Sequence, residues 1–159
     1  MILSAPDPAL DRAFAAALLR LQHEAYRSQA ELIGDDRLQA LSADADSLPA
    51  WRGRYVVAWE GTELLGAVAW RPGDVIDVDR VMVDPAARRR GIAATLVQRV
   101  LDQAGEAPVE TVTGRDNVPG LALYNRFGFR PLSDERASTG IWVTRLRRDR
   151  VSGKTEGRS

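Results

Sequence analysis

The sequence predicts an α/β domain built on a mixed sheet. Short β-rich runs crowd the stretch from Tyr55 to Val83, an amphipathic stripe separates them from a later run, and two further runs close the fold as a hairpin.

Leu10, Phe14, Ala17, Leu18, Leu21 and Ala25 recur at intervals of three and four, which predicts a long helix over residues 8–33, with a break near His23 as an option. Asp7 stands before Pro8 as an N-cap, and Gly34 supplies the stop. Residues 35–54 carry Pro49 and Gly53 without periodicity and read as a loop with at most a short helix. Strands follow at 55–59 and 64–70, joined through Glu60-Gly61-Thr62-Glu63, and Arg71-Pro72-Gly73 turns the chain into a third strand at 75–83. Beyond it, Ile92, Leu96, Val97, Val100 and Leu101 fall on one helical face. A strand at 109–113, a helix at 118–127 and strands at 129–132 and 141–146 complete the order. The small and polar residues 148–159 are expected to form a disordered tail outside a single domain of residues 1–147.

Composition narrows the function classes. Twenty-two basic residues balance twenty-two acidic ones, so no global field favours nucleic acid, and any anion site must be local. There is neither an apolar run long enough to span a membrane nor a signal-peptide pattern, so a cytoplasmic location is expected. One histidine and no cysteine give no recognisable metal site and no acyl-cysteine route. His23 beside Glu24 reads as a surface helical residue before it reads as a base.

The chemistry concentrates where the third strand ends at Asp84-Pro85 and meets Arg88-Arg89-Arg90-Gly91-Ile92-Ala93. A helix beginning near Arg89 or Arg90 would present free backbone N–H groups and the positive end of its dipole, and both attract an anion. Gly91 and Ala93 keep the turn free of bulk, so a diphosphate can reach the backbone while three guanidinium groups stand close by. Consecutive arginines at a helix start oppose the dipole at about a few tenths of a kcal/mol each, which favours an anionic ligand over an ordinary basic first turn.

Downstream lies a second cluster, Asn117, Pro119 and Leu123-Tyr124-Asn125-Arg126-Phe127-Gly128-Phe129. Together the two resemble the GNAT superfamily of N-acetyltransferases. Arg88, Gly91 and Ala93 fill its acyl-coenzyme A pyrophosphate pattern, and Asn117, Tyr124, Gly128 and Phe129 fill its second pattern, across residues 55 to 147.

The resemblance implies a mostly antiparallel, twisted sheet flanked by helices. Its strands at 75–83 and 109–113 would splay so that the pantetheine arm of acetyl-coenzyme A lies between them. It assigns cofactor binding to the backbone of Met82 and Val83, to Arg88, Arg89, Arg90, Gly91, Ile92 and Ala93, and to Asn117, which equally reads as a helix cap. It makes Tyr124 the proton donor to the departing thiolate, against the simpler reading of a core tyrosine. Asp77 and Asp79 lie two apart on one strand face, shared with Val81 and Val83, and read as a general base, an ammonium clamp or salt-bridge partners. The implied reaction is direct acetyl transfer to a primary amine of a small molecule or peptide, with no metal. A non-catalytic acyl-coenzyme A sensor is the alternative, and homodimerisation stays open. Relatives line the acceptor site with the region matching residues 26–51, where Glu31, Asp35, Asp36, Asp44 and Asp46 outnumber Arg27 and Arg37. That excess suits a cationic amine or a solvated loop. Trp51, Trp59, Trp70 and Trp142 read as core or as an apolar pocket. The short Met1-Ile2-Leu3 run leaves the first sheet edge undetermined.

Overall fold

A computed structural model describes residues 1–33 and 53–149. Gly34, Trp51, most of the expected loop and the tail from residue 150 lie outside the described residues.

Two aspartates compete to start the first helix. Asp7 takes the amide of Ala9 on its side chain at 2.9 Å and those of Leu10 and Asp11 on its carbonyl, each at 3.0 Å, which closes a turn and goes no further. Asp11 caps the helix itself, accepting from the Phe14 amide at 2.9 Å. Helix α1 therefore spans Arg12–Ile33, later than the apolar stripe suggests, and Leu10 is left 86% exposed. It runs unbroken past an exposed His23. Phe14, Leu18 and Leu21 bury against Tyr55, Val57, Ala67, Ala69 and Met82, each large side chain contributing about 1.5–3 kcal/mol.

Seven strands form one sheet in the order β1-β2-β3-β4-β5-β7-β6. They are β1 (Ile2–Ser4), β2 (Arg54–Glu60), β3 (Glu63–Arg71), β4 (Ile76–Val83), β5 (Val109–Gly114), β6 (Arg130–Arg136) and β7 (Trp142–Arg148). Among the described strands, only β4 and β5 run parallel. The three residues of β1 suffice to complete the first edge, because the Trp59 indole donates to Ser4 Oγ at 3.1 Å and pins them to β2.

Helix α2 (Ile92–Ala104) crosses the opposite face from α1 and buries Ile92, Leu96, Val97, Val100 and Leu101, the stripe read from the sequence. With Tyr124 of α3 (Val118–Arg126), these side chains close a second core over Val56, Leu65, Val68, Trp70, Ile76 and Val78. Trp59 and Trp70 thus belong to cores on opposite faces. Trp142 lies at the surface with the guanidinium groups of Arg115 and Arg136 over its ring at 4.7 and 5.6 Å. Among the described residues, no helix is long and apolar enough to cross a membrane.

Candidate active site

The decisive irregularity is a bulge in β4. Ala69 of β3 pairs with Arg80 and the next residue, Trp70, pairs with Val78, so Asp79 has no partner of its own. Side-chain parity flips there. Ile76 and Val78 face the α2-side core before the bulge, and Val81 and Val83 face it afterwards, while Met82 joins the α1-side core. Strict alternation would have placed Asp77 and Asp79 with Val81 and Val83; the extra residue turns the valines to the other face.

The backbone turns with them. Asp84 N–H donates to Leu65 C=O at 2.8 Å, so pairs alternate backwards from that point and Met82 bonds towards β3. Its carbonyl lies 3.0 Å from where a Cβ on Gly66 would stand. Val81 and Val83 therefore aim their amides at β5, but the β4–β5 ladder holds only Ile76↔Val109, Asp77↔Glu110 and Val78↔Thr111. Residues 79–83 and 112–114 run on without a shared rung, and the strands part. The Val83 amide, like that of Val81, faces the gap, whereas the backbone of Met82, the other residue assigned to cofactor binding by resemblance, is paired with β3.

At the mouth of the gap, Asp84 caps a short 3-10 turn, Pro85–Ala87, by accepting from the Ala86 amide at 2.9 Å. Arg89 follows with φ +66°, a left-handed conformation that costs a non-glycine residue about 1–2 kcal/mol, and Gly91 repeats it at +72° as the N-cap of α2. The helix accordingly starts at Ile92, not at Arg89 or Arg90. Gly91 offers no side-chain cap, and the Thr95 amide is already bonded to the Gly91 carbonyl at 3.0 Å. The amides of Ile92, Ala93 and Ala94 are therefore free of helical partners. A Cβ on Gly91 would meet nothing within 4 Å beyond its chain neighbours, so the N-cap position itself is uncrowded. That cradle fits a phosphate.

Two of the three arginines are held from behind. Arg88 bonds the Ser28 hydroxyl of α1, and Arg90 pairs with Glu60 of β2 at 2.6 Å. The hydrogen bond from Arg90 holds the Glu60 carboxyl below its ordinary range.

Across the gap, β5 and α3 arrange the second cluster. Asn117 caps α3, accepting from the Gly120 amide at 3.2 Å, and its Nδ2 donates to Thr113 Oγ1 at 3.1 Å. A Cβ on Gly120 would stand 2.6 Å from Asn117 Nδ2, so any larger residue there must displace the Asn117 amide. Tyr124 is buried, its ring edge-on to Phe129 at 5.2 Å. Burial pushes its phenol above the ordinary value of 10.0, opposed by a hydrogen bond with Thr111. Thr111, itself buried, donates to the Val78 carbonyl at 3.0 Å.

Asp77 and Asp79 stay together on the α1 side, at 3.2 and 3.7 Å from one guanidinium nitrogen of Arg71. Asp79 also reaches Arg80 Nε at 3.3 Å. The salt-bridge reading of these acids is therefore satisfied, with two carboxylates sharing Arg71. Sequence reasoning missed Ser28, Glu60, Thr111, Thr113 and Gly120. Thr111 and Thr113 left one signal, hydroxyls at i and i+2 on an otherwise apolar strand face. Among the described residues, no group of three or more His, Cys, Asp or Glu is placed to hold a metal ion.

The sequence model of the family described as "Acetyltransferase (GNAT) domain" matches residues 27–149. The chain belongs to the GNAT acetyltransferase family. Over 132 residues this GNAT chain is 28% identical to the UPF0157 protein YqkA of Bacillus subtilis (strain 168), covering 82% of the chain and 38% of that protein. Over 83 residues it is 32% identical to the mycothiol acetyltransferase of Catenulispora acidiphila, covering 50% of the chain and 26% of the relative. It thus spans well under half the length of either curated relative. The PaiA N-acetyltransferase from Thermoplasma acidophilum, solved in complex with coenzyme A, superposes with a TM-score of 0.71 at 13% identity, over 94% of this chain and 99% of that one. That likeness is one of fold, and the seven-stranded mixed sheet flanked by helices is the GNAT fold.

Proposed function

We propose that this GNAT chain transfers an acetyl group from acetyl-coenzyme A to a primary amine of a small molecule or peptide, by direct attack in a ternary complex. One observation carries the reading: the parallel pair β4–β5 parts after the Val78–Thr111 rung, beside a helix start with no side-chain cap and an uncrowded glycine at the N-cap.

The Val81 and Val83 amides can bond a pantetheine chain laid in the gap as a strand would. An amide aimed at the thioester oxygen opposes the charge that develops there. The amides of Ile92, Ala93 and Ala94 and the arginine turn hold the diphosphate. Acetyl-coenzyme A supplies the activated acyl group, and no cysteine of the chain can take it over. A lysine-like amine with pKa near 10.4 must lose a proton before it attacks. Asp77 and Asp79, which share Arg71 while Asp79 also reaches Arg80, keep oxygen lone pairs for that ammonium or for a water that relays its proton. Tyr124 faces the departing sulfur. A thiol near 8.5 and a phenol near 10 make full proton transfer uphill by about 2 kcal/mol, and burial adds to that difference. A hydrogen bond donated to the phenolate oxygen offsets part of that cost. The ion pairing of both aspartates is the observation that favours the alternative, an acyl-coenzyme A sensor with no transfer.

Calorimetric titration with acetyl-coenzyme A, followed by thiol release against an amine panel, tests the proposal. Micromolar binding weakened by Arg88→Ala, with release above the uncatalysed rate, supports the enzyme. Binding without release across the panel supports the sensor, and absence of binding removes both.

A further inference from the structure

Thr111 occupies the crotch where β4 and β5 part, and its place in the hydrogen-bond pattern is more specific than strand packing requires. Val78↔Thr111 is the last shared rung, and the Thr111 hydroxyl spans it a second time by donating to the Val78 carbonyl at 3.0 Å. A hydroxyl has one hydrogen. With that hydrogen on Val78, the Thr111 oxygen can only accept from its other neighbour, the Tyr124 phenol. The chain Tyr124 O–H to Thr111 O–H to Val78 C=O therefore has one direction, and both side chains that form it are buried.

We propose that Thr111 is a positioning residue for Tyr124: its oxygen accepts a hydrogen bond from the phenol while the site waits, and its O–H donates one to the phenolate once the phenol proton has gone to sulfur. The inference rests on the transferase reading above. When the thiolate leaves, the Tyr124 O–H bond breaks and an S–H bond forms, and the negative charge moves to the phenol oxygen. The Thr111 hydroxyl rotates about its C–O bond from Val78 to that oxygen. The proton given up by the attacking amine returns to the phenolate, and Thr111 swings back. Overall, one proton passes from nitrogen to sulfur, and no redox partner is needed. The direction of the Thr111 effect on the phenol, a lowering against the upward push of burial, is that of a donor to the phenolate.

Thr111→Val removes the hydroxyl at nearly constant shape, and Thr111→Ser keeps it. T111V should hold acetyl-coenzyme A affinity within about threefold and lower kcat by about tenfold or more, with T111S restoring most of the loss. In a Y124F background, T111V should cost nothing further in kcat. A second readout needs no acceptor: in a titration of the tyrosine Cζ resonances by NMR, the signal absent from Y124F should move to higher pH in T111V and not in T111S. An unmoved phenol titration, or an equal kcat loss in the Y124F background, overturns the proposal. Wild-type protein that releases no thiol while the phenol shift persists overturns the transferase reading and leaves the Thr111–Tyr124 pairing supported.

Discussion

Replacing Gly91 by alanine separates backbone strain from ligand exclusion. Gly91 has φ +72° and no atom within 4 Å of its would-be Cβ, so the free protein loses only the left-handed penalty of an L-residue. That is about 1–2 kcal/mol, or roughly 2–8 °C in Tm for a domain of this size. The loss on the ligand side is independent. A methyl on the N-cap residue is expected to compete with a diphosphate held by the free amides of α2, and each bond to a charged oxygen is worth about 1.5–3 kcal/mol. Losing one weakens acetyl-coenzyme A binding by about ten- to 150-fold. Gly105 supplies the control at the other end of the same helix: φ is +60°, and a Cβ there would also meet nothing within 4 Å. Gly105→Ala should lower Tm at least as much and leave the affinity within twofold. Thermal unfolding and calorimetry on the two variants decide the matter. If G91A binds like wild type, or if both variants lose affinity alike, the open cradle is not where the diphosphate sits.

Tyr124→Phe should reduce kcat by about ten- to ten-thousandfold with little change in acetyl-coenzyme A affinity. Since burial raises the Tyr124 phenol above 10.0, it keeps its proton through pH 10, and a pH–rate profile in which Y124F abolishes an alkaline limb below that value would contradict the assignment. Glu60→Gln frees Arg90 for the ligand and should tighten acetyl-coenzyme A binding by about two- to fivefold, the range of an exposed pair; weaker binding by calorimetry would show that Glu60 positions Arg90 instead of competing for it. The sign agrees with the depressed Glu60 carboxyl: the clasp persists above the ordinary carboxylate range and fades as pH falls through the lowered value. Gly120→Ala displaces Asn117, losing about 1 kcal/mol of cap and about 1 kcal/mol of the Thr113 bond, against a gain of at most about 1 kcal/mol in helix propensity. A fall of about 2–4 °C in Tm is expected, and a stabilised variant would mean that Asn117 moves aside without loss.

Much of the fold was legible because the core-facing stripes are strong. The five apolar residues of α2 are buried where their spacing placed them, and each strand run overlaps an observed strand, with those at 75, 129 and 141 starting one residue too early. What failed was local geometry. Arg89 and Gly91 adopt left-handed conformations, and an arginine gives no sign that it will do so, which is why the helix start was set too early. Asp7 and Asp11 are both competent caps, and composition cannot rank two aspartates four residues apart. The bulge at Asp79 carries neither glycine nor proline, so parity along β4 was read straight through it. Within the site, the arginine turn, Asn117 and Tyr124 announced themselves by local pattern. Thr111 and Gly120 matter through contacts that only the folded chain creates, with Val78 across 33 residues in one case and with the side chain of Asn117 in the other.

The odd residue in β4 makes this strand intolerant of length change. Deleting Asp79 would restore regular alternation and let β4 and β5 zip to their ends, closing the sheet into an unbroken surface with nowhere for an extended molecule to lie. Inserting one more residue would flip Val81 and Val83 out of the core. The slot thus depends on counting as much as on chemistry, and a single-codon indel here should be far more damaging than most substitutions at the same position.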